Sequence, residues 1–362
     1  MHTHSTTIHW HGLHQKSSPW SDGVAFVTQC PILSGQSYTY KFNAKPLGTS
    51  FYHPHNGDQR TMGLYGLLIV IPTPGQTVVL PQEGDNVFVA IMQDWNHDDD
   101  ENALYQQMLW DDFDISDEVN SDEVVEIFFN FAFPGENGNT PGSVNGHQFL
   151  PPKVAAYAQP DLVDYNCDAC SAYTICECTY AVTIDNDNKD RVYQLVISSI
   201  GRGANWSHPV HLHGHSFYVM KMVFATYDSE SQLVPNGGQD TIDISCTDSN
   251  NFCSDAKWKN ASWENGRHPD LNWHNPPQKD TIIIPSGGYV IIRFKADSPG
   301  VCFFHCHIDL HNTNGMGMII NESPNSQPKV PNNFPKCNSF ENDGKHILTY
   351  KLSYIANVFA SV

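Results

Sequence analysis

The chain has 362 residues, and at roughly 150 residues per domain it is long enough for about two domains with cores of their own. Its 19 Lys and Arg residues are outnumbered by 39 Asp and Glu residues, which gives a formal net charge of −20. So acidic a surface repels nucleic-acid phosphates and anionic membranes, and we expect neither as a partner.

Short runs rich in β-branched, aromatic and aliphatic residues recur along the chain, usually bounded by Gly, Pro, Asn or Asp. This pattern is typical of β-sandwich domains. The predicted strands are residues 37–43, 64–71, 87–91, 123–129, 192–198, 217–224, 281–284 and 289–294. The strongly acidic residues 94–121 indicate a linker or an irregular element, and residues 134–146 are loop by composition. Because no run of 18 apolar residues occurs, we expect no membrane span.

The sequence contains ten cysteines, several of them close together. One cluster comprises Cys167, Cys170, Cys176 and Cys178. In a cytosolic protein such a cluster would suggest zinc. Three Asn-x-Ser sequons, at Asn205, Asn260 and Asn321, instead favour a secreted glycoprotein with disulfide bonds. We expect Cys246 and Cys253 to form a local disulfide, and a secretion signal to lie upstream of this chain.

Four motifs with a His-x-His pair stand out in the sequence, two towards each end. They are His9–His11, His53–His55, His211–His213 and His305–His307. Residues two apart on a strand point to the same face, so each pair offers two imidazoles side by side. Imidazole suits copper, zinc, iron and nickel. A catalytic zinc site needs three protein ligands, so eight histidines indicate a cluster of metal ions.

The segment His305-Cys306-His307 adds a second kind of ligand. On a strand, Cys306 must face opposite to its two neighbours. His311 follows it by five residues and Met316 by ten. Two histidines, a cysteine and a weak axial methionine describe a blue-copper electron-transfer site, and His208 is the leading candidate for the missing histidine. The covalent bonds from Cys306 to both neighbours would then connect the two sites.

These motifs resemble the four copper signatures of the multicopper oxidases. They read HWHG at 9–12, HPH at 53–55, HPVHLHGH at 208–215 and HCHIDLHNTNGM at 305–316. The phrases SDGVAFVTQCPI and VNGHQFLPP and the cysteine-rich segment are most similar to animal laccases. The resemblance covers most of residues 6–322 and implies an all-β chain of two cupredoxin-like Greek-key β-sandwich domains.

The resemblance also implies a role for each ligand and four coppers per chain. A type 1 copper would be held by His208, Cys306 and His311, with Met316 axial. A type 2 copper would be held by His9 and His211. A type 3 copper pair would be held by His11, His53, His55, His213, His305 and His307. Asp22 in the WSDG turn matches a family acid that helps to deliver protons to reduced oxygen, although an Asp before Gly is also a turn former. Asp309 matches a family position beside the type 1 site, and a surface role explains it equally well.

The chain departs from the family pattern in three places. The HWHG motif begins at residue 9, so we expect an incomplete first sandwich with an unpaired sheet edge. The stretch between His55 and His208 is too short for a complete middle domain. We expect that the disulfide partner of Cys30 lay in that domain and is missing with it. We therefore predict an incomplete N-terminal domain at 1–80, an acidic linker or remnant at 81–121 and a C-terminal domain at 122–362. The second motif is HPH where HSH is usual, and the proline donates no ligand.

A laccase-type activity is the function that the resemblance implies. Such an enzyme oxidises phenolic or catecholic substrates one electron at a time and reduces dioxygen to water. One alternative is a ferroxidase, which would need carboxylates beside His208 or His311. Another is a truncated copper-binding protein without oxidase turnover. A genuine two-domain enzyme could also form its cluster between the subunits of an oligomer.

Overall fold

The computed structural model describes residues 5–57, 59–60, 63–71, 119–121, 123–134, 141–168, 175–187, 189–204, 206–228 and 243–337. The strand predicted at 87–91, most of the acidic segment 94–121 and the sequon at Asn205 lie outside these ranges. The predicted domain boundaries therefore stay a prediction. We call residues 5–71 the N-terminal half and residues 119–337 the C-terminal half.

The N-terminal half contains one antiparallel sheet of three strands, in the order β1–β2–β3. The strands are β1 (His9–Trp10), β2 (Gly48–His53) and β3 (Gly66–Val70). The strand predicted at 64–71 is confirmed, whereas the prediction of a strand at 37–43 is wrong. There, the rings of Tyr40 and Phe42 pack against Trp10, with centroids 5.5 and 5.2 Å away. Their apolar character serves this aromatic contact rather than pairing within a sheet.

The C-terminal half contributes fifteen further strands within the described ranges. In chain order they are β4 (Val124–Ala132), β5 (Ser143–Val144), β6 (His147–Phe149), β7 (Cys176–Cys178), β8 (Ala181–Ile184), β9 (Val192–Ser198), β10 (His208–Leu212), β11 (Phe217–Val223), β12 (Ile244–Ser245), β13 (Lys257–Trp258), β14 (Gln278–Lys279), β15 (Thr281–Ile284), β16 (Tyr289–Lys295), β17 (Gly300–Cys306) and β18 (Gly317–Glu322). One sheet has the order β15–β10–β17–β18–β8 and another the order β14–β11–β16–β9–β4–β5–β6–β7, while β12 and β13 form a separate pair.

The two large sheets share one hydrophobic core. Leu195 and Ile292 enter it from the eight-stranded sheet, and Val210 and Phe304 enter it from the five-stranded sheet. Burying each such side chain stabilises the fold by about 1.5–3 kcal/mol. The strands predicted at 123–129, 192–198, 217–224, 281–284 and 289–294 all form, and the all-β prediction is confirmed.

Helices are short in the described part of the chain. The α-helix α1 (Asp309–Thr313) follows β17 directly, and single 3-10 turns lie at Pro19–Ser21, Pro160–Leu162 and Ala261–Trp263. None of the helices within the described ranges combines the length and the apolar character that a membrane crossing requires.

Three disulfides are described. Cys246–Cys253 pairs as expected, and Cys167 bonds Cys178. The expectation that Cys30 has no partner is wrong, because it bonds Cys337 across 307 positions of sequence. This bond links the N-terminal half to the last described residue. The sequence does not predict it, because no feature near either cysteine indicates a partner so far away in the chain.

Candidate metal centre

Strand pairing brings the histidine motifs together in both halves. In the N-terminal half, the antiparallel register of β1 and β2 places His9 opposite His53. In the C-terminal half, the register of β10 and β17 places His211 opposite His305. Since β2 ends at His53 and β17 ends at Cys306, the second histidine of each motif follows a strand end.

Eight histidines from the four motifs form overlapping groups, in each of which the ligand nitrogens lie within 4.8 Å of one another. The groups are His9, His11 and His211; His11, His53 and His307; and His55, His213 and His305. In the third group, Nε2 of His305 lies 3.2 Å from Nε2 of His55 and 3.1 Å from Nε2 of His213. Nitrogens bound at about 2.0 Å to a common metal ion are spaced about 3 Å apart. Every group takes members from both halves, so neither half holds a complete set.

A separate site surrounds the sulfur of Cys306. Its Sγ lies 3.4 Å from Nδ1 of His311 and 3.8 Å from Nδ1 of His208, and the two nitrogens are 3.1 Å apart. All three residues are buried. Met316 is also buried, and its carbonyl accepts a hydrogen bond of 3.0 Å from the amide of Cys306. The structure therefore gathers His208, Cys306 and His311 around one point and holds the backbone of Met316 beside them.

At the end of β17, successive side chains point to opposite faces of the strand and so serve the two different sites. His305 and His307 each join a histidine group, while Cys306 between them joins His208 and His311. Only peptide and side-chain bonds of adjacent residues separate the sulfur from either imidazole.

The partners of the ring nitrogens show which atoms are available to a metal. Nδ1 of His9, His53 and His211 lies 2.7–2.8 Å from the carbonyl oxygens of Asp22, Pro54 and Asp280, respectively. Each Nδ1 therefore donates, which leaves the lone pair of Nε2 free. These Nε2 atoms are buried and have no hydrogen-bond partner in the described part of the chain.

His11 has the opposite arrangement. Its Nε2 lies 3.3 Å from Oδ2 of Asp280, and its Nδ1 is the buried atom without a hydrogen-bond partner among the described residues. Buried polar atoms left unpaired are costly, and several that converge within 4.8 Å are what a set of metal ions would satisfy. Copper fits the donors, because imidazoles alone form one site and two imidazoles with a thiol form the other.

The surroundings keep these rings uncharged. Burial, and then the neighbouring histidines, lower the pKa of His53, His213 and His305 well below the ordinary value. The same causes lower the pKa of His211 to about 3, and burial lowers that of His311 to about 4. At neutral pH these five imidazoles are neutral, which is the form that binds a metal ion.

Asp22 lies against the histidine groups. Its Oδ2 accepts a hydrogen bond of 2.8 Å from Nδ1 of His213, and the residue is 4% exposed. It also caps the C-terminal end of the 3-10 turn Pro19–Ser21, so the turn position predicted for it is observed, whereas its role in proton delivery stays a prediction.

Two residues that sequence reasoning missed also hold the histidines. Asp280 contacts His11 through its carboxylate and His211 through its carbonyl. Arg60 lies against His307 and forms an ion pair with Asp309, with Nη2 2.7 Å from Oδ1. Neither lies in a copper motif, so only their position in the folded chain reveals them. Asp309 is engaged by Arg60 and is not a free surface residue.

The cysteine-rich segment offers no thiolate site among its described residues. Cys176 and Cys178 lie near His147 but both are disulfide-bonded. The zinc interpretation of this cluster is therefore excluded for these two sulfurs.

Comparisons with known proteins point the same way. Two sequence models, both described as multicopper oxidase, match residues 1–75 and 149–326. The L-ascorbate oxidase of Brassica rapa subsp. pekinensis is 46% identical over 97 residues, which are 27% of this chain and 17% of that protein. The putative laccase-5 of Oryza sativa subsp. japonica is 21% identical, with 93% of this chain and 85% of that protein covered. The ascorbate oxidase match thus spans less than a fifth of that relative's length.

Solved structures share the fold. A laccase mutant from B. aclada superposes with a TM-score of 0.55 at 18% identity, covering 91% of this chain and 80% of that one. Fet3p, a multicopper oxidase that functions in iron import, gives a TM-score of 0.53 at 18% identity, covering 90% and 81%. The predicted cupredoxin-like fold class is confirmed by this likeness. With both family models matched and the four histidine motifs gathered in space, the chain belongs to the multicopper oxidase family.

Proposed function

We propose that this chain is a laccase-type oxidase, which oxidises phenols or catechols by single electrons and reduces dioxygen to water. The observation that carries the proposal is the arrangement at 305–307, where one sulfur and two imidazoles on adjacent residues face different metal-binding groups. The likeness to laccases from rice and fungi supports the substrate class.

His208, Cys306 and His311 would hold the type 1 copper, with Met316 as the axial neighbour. His9 and His211 would hold the type 2 copper. The type 3 pair would be held by His11, His53 and His307 on one side and by His55, His213 and His305 on the other. Bound copper would supply one-electron redox chemistry at both sites.

The chain's own residues would do the remaining work. Cys306 gives electrons a short through-bond path to His305 and His307. The hydrogen bonds to Asp22, Pro54 and Asp280 fix the ring orientations before any metal binds. We assign proton delivery to Asp22, because its carboxylate bonds His213.

A ferroxidase is the alternative within the same family. It would need a carboxylate beside His208 or His311 that is free to bind ferrous iron. Asp309 is next to this site in sequence, but its carboxylate is paired with Arg60, which favours the phenol oxidase. A copper-binding protein without turnover is the second alternative, and a cluster completed between subunits stays a further proposal.

Copper content and oxygen uptake together test the proposal. We expect the full chain, loaded with copper, to turn intensely blue, to hold copper at both sites and to consume oxygen with a catechol faster than with ferrous iron. Blue colour without oxygen uptake would instead identify a copper-binding protein. A higher catalytic efficiency for ferrous iron would identify a ferroxidase.

We also propose that the protein is secreted and glycosylated. The three described disulfides are consistent with an oxidising compartment. Of the described sequons, Asn260 is exposed at the start of a 3-10 turn, whereas Asn321 is half-buried within β18. We therefore assign a glycan to Asn260 first, which mass spectrometry of the secreted protein would test.

A further inference from the structure

Arg60 joins the N-terminal half to the segment that follows Cys306. Its Nε and Nη2 donate to Oδ1 of Asp309, at 3.0 and 2.7 Å. Nη2 also donates to the carbonyl of His307, and Nη1 lies 2.7 Å from Nδ1 of the same residue. One guanidinium thus holds three acceptors on residues 307–309.

His307 depends on contacts beyond strand pairing for its position. It lies beyond the end of β17, where strand pairing no longer fixes it. On the side of the C-terminal half its amide bonds the carbonyl of Pro209. Its ligand group is completed by His11 and His53, both from the N-terminal half. A shift of residues 307–309 relative to that half would therefore open this group.

The hydrogen bond at Nδ1 of His307 has the opposite direction from those at Nδ1 of the neighbouring histidines. Nδ1 of His53 and His305 donates to a carbonyl oxygen, whereas Arg60 can only donate, so Nδ1 of His307 accepts. In that tautomer the ring proton lies on Nε2, so binding a metal through Nε2 would require the proton to move to Nδ1 and this one contact to be given up. The bonds from Arg60 to the carbonyl and to Asp309 do not depend on that proton, so they provide the lasting part of the contact.

We propose that Arg60 is a positioning residue that clamps residues 307–309 onto the N-terminal half and so completes the group of His11, His53 and His307. The proposal rests on the proposed function, in which this group binds one copper of the cluster. A planar fork of five donors suits this task, and the single ammonium of lysine would reach only part of the acceptors.

Arg60→Gln and Arg60→Lys test the clamp in the full, copper-loaded chain. Loss of a residue that orients a metal ligand typically weakens metal binding by about 10- to 100-fold. We expect Arg60→Gln to lose cluster copper and oxygen uptake while its blue band per chain stays unchanged, because the described hydrogen bonds of Arg60 go to His307 and Asp309 and not to Cys306, His208 or His311. Arg60→Lys should retain an intermediate amount of copper. Arg267→Gln is the matched control, since the exposed Arg267 side chain donates from Nε to the carbonyl of Glu264, away from the histidine groups.

Copper per chain and blue absorbance separate the outcomes. Full cluster copper in Arg60→Gln would overturn the clamp alone. Parallel loss of the blue band and of all copper would also overturn it, because that pattern marks general unfolding. A wild-type chain that binds no cluster copper would instead overturn the proposed function on which the clamp rests.

Discussion

Several imidazoles of the centre are held through one nitrogen so that the other can bind a metal. His213 is held by the carboxylate of Asp22, and His211 by the carbonyl of Asp280. Such contacts set the ring orientation and the tautomer in advance, so metal binding need not order the side chains. The thiol of Cys306 is the exception, because it must lose its proton to bind copper.

Cys306→Ser tests whether the sulfur of Cys306 is a copper ligand. A hydroxyl replaces the thiolate that gives the charge-transfer absorption, so we expect the blue band and substrate oxidation to vanish while much of the cluster copper stays bound. Absorbance and copper per chain measure both effects.

Cys302→Ser is the control for this change, because Cys302 is a buried cysteine outside the described disulfides and lies on the same strand. It should stay blue. A blue Cys306→Ser variant would contradict the assignment of the sulfur ligand.

Turns set the precise position of the strand ends that carry the site. Gly23 follows Asp22 with φ of +85°, and a Cβ there would lie 1.8 Å from the carbonyl oxygen of Ile8, next to His9. The turn therefore packs directly against the strand β1 that presents the first histidine. Only glycine allows both this backbone conformation and this approach.

Gly23→Ala tests whether the close approach of this turn to β1 stabilises the fold and positions the first histidine. The clash must push β1 away from the turn, and overpacking of this kind costs about 1–3 kcal/mol beyond the backbone strain. We expect a lower melting temperature together with less cluster copper.

Gly35→Ala is the matched control, since Gly35 has φ of +80° but nothing within 4 Å of its Cβ position. It should show only the backbone penalty and keep its copper. Equal destabilisation of both variants would disprove the role of the close approach.

The two halves of the molecule are joined by the histidine groups and by the disulfide Cys30–Cys337. The described residues of the N-terminal half form three strands, and β3 leaves Ile69 51% exposed. So small a sheet buries little apolar surface of its own, and its stability depends on contacts with the C-terminal half.

The double variant Cys30→Ser/Cys337→Ser tests this dependence at the scale of the whole molecule. The disulfide spans 307 positions, against 7 for Cys246–Cys253. On the chain-entropy estimate its loss should cost about 3 kcal/mol more free energy of unfolding than loss of the short one.

Chemical denaturation of both double variants without reductant measures the difference. The short-loop variant Cys246→Ser/Cys253→Ser serves as the control. An equal effect of the two would show that the long disulfide does little to hold the halves together.

The all-β class, most of the strands and the metal-binding character of the centre could be predicted from the amino-acid sequence. Alternating apolar runs predict strands because side chains on a strand face opposite sides, and the same rule sets Cys306 against His305 and His307. The run at 37–43 failed because the apolar signal does not distinguish a strand from an aromatic contact with Trp10.

Which histidines share a group, and which residues hydrogen-bond to them, became visible in the folded chain alone. Asp280, Arg60 and the partner of Cys30 carry no local signal, since each acts on residues far away in sequence. Contacts between the halves form only when both have folded and met. A sequence motif records which donor atoms are present, whereas their distances and free lone pairs are properties of the assembled fold.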